Sequence, residues 1–430
     1  MYDCIIIGGG LSGLTCGLKC AGEGLRTLVI SGGMCALHFS SGSIDVLGYD
    51  ELGQEIYEPF VRLVRFIKDN PEHPYSKIGI DKIRESLGFF RDELAKENLN
   101  LYHNGDMNHI RFTALGVMKP TYFSQESVFN ERLMRAFENK SKITILNFYG
   151  YRDCFAELSM DQLKKNPLMQ GIGITVGKID LSRYVETEKN LHEFRSIDLA
   201  RIFDSEKFLP QIAEEIKMNA GDSGIVSLPA FIGINNYTEI HRKLEEMTGL
   251  LIYEVPTLPP SILGMRIDNA LRTRFAALGG EYSGGDRVTG GEIFDQKLNH
   301  IHTDNYRNAR IQSKFFVLST GSFFSGGLRS EYDRFDEPVL NLKVSGAMKR
   351  NGWYSQKFFD KKSHPFLEFG VATDKSFNPE DKKGKTVKNL FCTGALLSGY
   401  NPIKEGSGGG VAIAGGYFAA QKIIKECKKN

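Results

Sequence analysis

The feature that most constrains this chain is a glycine turn near its start. Cys4-Ile5-Ile6-Ile7 is a short apolar run rich in β-branched residues, the composition of a strand buried on both faces of a parallel sheet. Gly8-Gly9-Gly10-Leu11-Ser12-Gly13 follows at once, and Leu14 to Ala21 carries the apolar spacing of a helix packed on a sheet. Gly22 and Gly24 can end that helix, and Leu25 to Ser31 reads as the second strand. The opening segment is therefore one complete βαβ unit.

A G-x-G-x-x-G string is weak evidence alone, but the strand-turn-helix setting gives it a mechanism. Gly8 makes the tight turn, Gly10 lets the backbone approach a phosphate, and Gly13 lets helix and strand pack closely. Gly9, Leu11 and Ser12 complete the loop, and the helix N-terminus offers free N–H groups and partial positive charge to an anion. The bland alternative is the same turn with no ligand. A dinucleotide site normally ends its second strand with Asp or Glu for the adenosine ribose; here Ser31 stands there, followed by Gly32 and Gly33. Three readings stay open: serine holds the ribose less strongly, the cofactor lacks an adenosine half as FMN does, or the site has lost its ligand.

The next segment, Ala36-Leu37-His38-Phe39-Ser40-Ser41-Gly42-Ser43-Ile44-Asp45, follows the second strand and so belongs near the carboxyl-end crevice of the sheet. Ser40, Ser41, Gly42 and Ser43 offer N–H and O–H donors to phosphate or to a flavin edge. His38 is a weak candidate for a base, with a satisfied structural histidine as the alternative. Two further strands end in small residues, Thr320-Gly321 and Thr393-Gly394, leaving room for a ligand over the sheet edge. Gly408-Gly409-Gly410 reads as a loop opening a last helix from Val411 to Lys425, whose dipole would stabilise an anionic reduced flavin ring.

Composition narrows the class. Of 430 residues 46 are Gly, above the usual share of about 7%. The 54 Lys and Arg nearly balance the 52 Asp and Glu, which gives no overall electrostatic case for nucleic acid. Cys4, Cys16, Cys20, Cys35, Cys154, Cys392 and Cys427 are scattered with no C-x-x-C pair, so no metal site or iron–sulfur centre is expected on this chain. The same scatter suits a reducing cytoplasm. No apolar run reaches the ~18 residues of a transmembrane helix, and the N-terminus reads as a strand rather than a signal peptide.

The whole reads as an α/β protein with a Rossmann-like dinucleotide-binding flavoprotein fold of the FAD/NAD(P)-binding type and an inserted mixed α/β domain. Residues 1–56, 260–330 and 380–430 form the flavin-binding part; 57–259 and 331–379 form the insertion, a cap for substrate or partner. In the insertion, Asp81 to Asn98, Phe208 to Met218 and Tyr237 to Met247 are expected helices. Thr113 to Phe123, Lys142 to Tyr149 and Gly171 to Leu181 are expected strands with no repeating βαβ period. Leu263 to Leu278 is a helix, and Lys314 to Leu318 and Val387 to Cys392 are strands.

On these residues the chain resembles the B subunits of anaerobic glycerol-3-phosphate dehydrogenase. The resemblance is carried by Ile7 to Leu14, the string Ala36 to Asp45, Leu258-Pro259-Pro260-Ser261, and Glu405-Gly406-Ser407-Gly408-Gly409-Gly410-Val411. It implies oxidation of sn-glycerol 3-phosphate to dihydroxyacetone phosphate, with electrons passed to quinone and on to fumarate or nitrate. It also implies a catalytic A subunit, an iron–sulfur C subunit that anchors the assembly at the inner face of the cell membrane, and FMN on the B chain, with FAD the alternative. FMN would agree with Ser31. Arg266, Arg272 and Arg274 lie on an expected helix and could supply cations for substrate phosphate, although surface arginines are the plainer reading. With no His–Arg constellation evident, alcohol oxidation is assigned mainly to the A subunit and an electron relay to this chain. The competing readings are a cofactor-poor scaffold and a stand-alone FAD oxidoreductase.

Overall fold

A computed structural model of the chain describes residues 1–184, 190–306, 309–347 and 349–429. The opening unit forms as its pattern requires: β1 (Tyr2–Ile7), α1 (Leu11–Gly22) and β2 (Thr27–Ser31). Cys4 to Ile7 and all of β2 are buried, as a central parallel strand demands. Each fully buried Ile there contributes about 1.5–3 kcal/mol of transfer free energy.

Two longer helices follow, α2 (Pro59–Asp69) and α3 (Ile80–Ala95), with a single turn at Pro74–Ile78 between them. On α3, Ile83, Leu87, Phe90 and Leu94 recur at helical spacing and are buried in the same core as β1. Leu99, Leu101, Tyr122, Phe123 and Tyr237 share that core as well. The expected strand from Thr113 to Phe123 is instead the second half of an antiparallel hairpin, β3 (His109–Phe112) with β4 (Met118–Thr121). Gly116, at φ +75, makes its turn.

The middle of the chain is more regular than its sequence suggests. β5 (Ile143–Phe148), α4 (Ala156–Lys164), β6 (Ile174–Ile179), α5 (Leu209–Ala220), β7 (Ile225–Pro229), α6 (Tyr237–Thr248) and β8 (Leu251–Val255) alternate strand and helix. Their four strands form one parallel sheet in the order β8-β7-β5-β6. The long connection after β6 hid the βαβ period.

The chain then returns to the first core. Ser261 caps α7 (Ile262–Ala277), its hydroxyl accepting from Gly264 N at 3.1 Å. β9 (Glu281–Gly284), the hairpin β10 (Val288–Phe294) and β11 (Lys297–Thr303), and β12 (Ser313–Leu318) follow. A segment of short bridges and 3-10 turns packs Trp353 on Phe335 and Phe369. Last come β13 (Leu390–Cys392), shorter than the expected strand from Val387, and α8 (Gly408–Cys427). The first sheet is wholly parallel, in the order β9-β2-β1-β12-β13. α1 and α8 pack closely: a Cβ on Gly416 would lie 2.2 Å from Ser12 O. No helix among the described residues is long and apolar enough to cross a membrane.

Candidate functional site

The carboxyl ends of β1, β2 and β12 open onto one cavity of about 870 Å³, a size that suits a cofactor. Gly8 to Ser12 form its floor. Ser31 to Leu37, Asp286 to Thr289 and Ser319 to Gly321 form its walls, and Gly394, Ala395, Gly408 and Ala412 close the far end.

Each glycine of the turn has its own physical reason. Gly8 sits at φ +116, and a Cβ on it would lie 2.2 Å from Ser319 O. A Cβ on Gly13 would lie 2.0 Å from Gly8 O, so helix and turn touch only through glycine. Gly10 is different. A Cβ there would meet only Cys35 Cβ, at 3.8 Å, so the protein itself does not demand glycine at this position. The space belongs to the cavity. Around it, Ser12 Oγ and Thr320 Oγ1 are buried without a hydrogen-bond partner, and α1 has no acidic residue in its first turn. Unused donors, a helix N-terminus and an open cradle suit a phosphate-bearing ligand.

The cavity gathers twelve of the twenty expected cofactor residues: Gly8, Gly9, Gly10, Leu11, Ser12, Ser31, Gly32, Ser40, Thr320, Gly321, Gly394 and Gly408. Gly13, Ser41, Gly42, Ser43, Thr393, Gly409, Gly410 and Val411 do not line it. Gly408 to Gly410 are the first turn of α8 rather than a loop before it. A Cβ on Gly409 would press on Ile44 and Asp45, and one on Gly410 on Tyr75 Oη, so these two glycines serve packing. Gly42 likewise packs on Leu263, 2.4 Å from its would-be Cβ.

The segment after β2 is clamped to the start of α7. Ser261 N donates to His38 O at 2.7 Å, and a Cβ on Gly264 would lie 1.7 Å from Leu37 O. His38 itself does not line the cavity. Its Nε2 lies 2.8 Å from Oδ2 of buried Asp268, which also takes Arg272 at 2.9 Å. Cys35 Sγ approaches the same carboxylate at 3.9 Å; burial first, then Asp268, pushes its thiol up to about 11, so it stays protonated at neutral pH. The ligand atoms of Cys35, His38 and Asp268 lie within 4.8 Å of one another, yet Arg272 already balances the carboxylate.

None of the three arginines lines the cavity; Arg266 is buried, whereas Arg272 and Arg274 keep part of their side chains at the surface. Arg266 is fully buried and bidentate to Glu254, at 2.6 and 3.0 Å, and donates twice to Gly233 O. Burial pushes the Glu254 carboxyl up, but Arg266, together with Ile232 N–H and the Ser127 hydroxyl, more than reverses this and holds it below the usual range. The pair ties α7 to β8 of the second sheet. Arg274 is held by Glu93 on α3 at 2.6 Å.

Sequence reasoning missed Asp286 and Arg287, the only charged residues among the described wall residues. Their signal is their place two residues beyond β9, whose Gly284 pairs with Ser31.

The FAD binding domain family matches residues 3–411. The B subunit of the anaerobic glycerol-3-phosphate dehydrogenase of Aliivibrio fischeri (strain MJ11) is 39% identical, covering 100% of this chain and 96% of that protein. The corresponding B subunit of Vibrio cholerae (strain El Tor Inaba N16961) is 38% identical over 98% of this chain and 96% of its own. That of Actinobacillus pleuropneumoniae (strain L20) is 34% identical over 98% and 99%. The family match and the parallel first sheet agree with the Rossmann-like flavoprotein expectation, and the chain carries a flavin-linked oxidoreductase domain. The chain therefore belongs to the FAD-binding-domain flavoproteins and, among them, to the family of B subunits of anaerobic glycerol-3-phosphate dehydrogenase.

Proposed function

We propose that this chain is the electron-relaying flavoprotein subunit of an anaerobic sn-glycerol-3-phosphate dehydrogenase. In that assembly a catalytic A subunit oxidises glycerol 3-phosphate to dihydroxyacetone phosphate. An iron–sulfur C subunit takes the electrons on towards quinone and holds the complex at the inner face of the membrane. The B-type relatives support the assembly.

The observation that carries the relay reading is the character of the cavity. Its wall combines an open phosphate cradle at Gly10 with the N-termini of α1 and α8, but among the described wall residues there is no histidine or lysine. Alcohol oxidation needs a base for the hydroxyl proton and cations for the phosphate; the charged residues of the wall, Asp286 and Arg287, stand just past β9 beside Ser31 and Gly32, on the arm read below as the adenosine side. His38, Arg266 and Arg274 are engaged elsewhere, by Asp268, Glu254 and Glu93.

For the cofactor we read FAD. The cavity continues past the phosphate cradle along Ser31 to Met34 and Asp286 to Thr289, where an adenosine half would lie, and the family match is to an FAD-binding domain. FMN would leave that arm unused. A bound flavin supplies two-electron reduction and one-electron release. In this reading Gly10 and the first turn of α1 bind the pyrophosphate, with Ser12 and Thr320 supplying hydroxyls. Gly394 and Gly408 leave room for the ring, and the dipole of α8 favours its anionic form. Residues 57–259 and 331–379 serve as cap and partner surface.

The test is anaerobic mixing of the flavin-loaded chain with glycerol 3-phosphate, followed by flavin absorbance. The loaded chain alone should not bleach, and addition of its A-type partner should bleach it. Bleaching by substrate without a partner would make this chain the alcohol oxidase itself.

A further inference from the structure

The carboxylate missing at the end of β2 is present one strand away. Ser31 turns its hydroxyl back to Gly33 O, at 3.1 Å, rather than towards a ligand. Beside it runs β9, and just past that strand Asp286 N donates to Ser31 O at 3.2 Å, fastening the two strand ends together. The Asp286 side chain is 2% exposed and lines the same cavity arm as Ser31 and Gly32. Its Oδ1 accepts from Asn305 N at 3.1 Å; Oδ2 receives no hydrogen bond among the described residues.

The side chain is thus held through Oδ1 while Oδ2 stays open to the cavity as a charged acceptor, which suits a ligand that brings O–H groups. The vicinal hydroxyls of a ribose are such donors. The usual dinucleotide site meets them with an acid on the second strand. We infer that here Asp286, delivered from the third strand of the βαβ series, binds the adenosine ribose and makes the site select a dinucleotide over a mononucleotide. This rests on the FAD reading above. It also accounts for Ser31 and Gly32: small residues at the end of β2 leave the path from cavity to Asp286 open.

The test is a titration of full-length apoprotein with FAD and with FMN, followed by flavin fluorescence, for the wild type and Asp286→Asn. Loss of a charge-assisted hydrogen bond should weaken FAD about tenfold or more and leave FMN unmoved. Unchanged FAD affinity in the variant overturns the inference and leaves the FAD reading standing. A parallel loss of FAD and FMN overturns it too, since it marks Asp286 as a loop anchor. FAD lacking both adenosine-ribose hydroxyls gives a second readout. It should bind the wild type about tenfold more weakly than FAD, and the difference should vanish in the variant. Should Asp286→Asn not fold, Asp286→Ser replaces it. Equal wild-type affinity for FAD and this analogue overturns the inference without any variant. Wild-type preference for FMN overturns the FAD reading, and this inference with it.

Discussion

His38 Nε2 lies 2.8 Å from Asp268 Oδ2, and this contact holds the turn that follows β2 against α7. The imidazole supports the cavity wall from behind, while its neighbours Leu37, Phe39 and Ser40 form that wall. We propose that His38 is a positioning residue. His38→Ala should lower flavin retention several-fold, while turnover per bound flavin in the reconstituted complex stays within about twofold. A general base would instead cost about 10²–10⁴-fold per bound flavin. Flavin content and turnover, measured on one preparation, separate the two.

Gly10 and Gly13 should respond differently to substitution. Gly10→Val should fold and fail to retain flavin, because its side chain enters the cavity and meets little protein. Gly13→Ala should destabilise the fold, because its Cβ would overlap Gly8 O. Circular dichroism melting and released-flavin absorbance check both. A folded Gly10→Val with full flavin content would refute the phosphate-site assignment.

The Arg266–Glu254 pair should act on stability. Removing one partner leaves an uncompensated buried charge, at a cost of about 3–5 kcal/mol. Arg266→Met should therefore lower the melting temperature sharply, and adding Glu254→Leu should restore part of the loss. Additive losses would show that the two side chains do not act as a unit.

His109 sets an expected acid sensitivity. It is 7% exposed, and burial first, then His103 and Arg111, pushes its pKa from 6.5 down to about 3. Between those values the unfolded chain holds a proton that the folded chain lacks. Stability is therefore full above pH 6.5 and falls on acidification towards pH 3, by up to about 1.4 kcal/mol per pH unit. His109→Gln should flatten that slope. Urea unfolding at several pH values reads it, and an unchanged slope would remove His109 as the cause.

The first sheet and the phosphate turn were legible because local rules agree there: β-branched runs, three glycines at fixed spacing, and a helix start. The second parallel sheet was not, because a long connection after Ile179 broke the βαβ rhythm. Arg266 could not be placed from its own neighbourhood, since its partner Glu254 lies on another sheet. Gly409 and Gly410 read as ligand glycines but serve the contact with Ile44 to Val46 and Tyr75, a tertiary fact that spacing does not encode. Asp286 escaped notice because the expected carboxylate belongs to β2, and only the register of β9 against β2 brings it to Ser31.

The central claim, that this cavity holds a flavin dinucleotide for relay, is met most directly by identifying the released cofactor. The chain would be purified with its co-purifying partners, denatured, and the flavin separated by chromatography and weighed by mass spectrometry. FAD in near-stoichiometric amount is the expected result. FMN would contradict the dinucleotide reading, and no flavin in any preparation would leave the chain a scaffold.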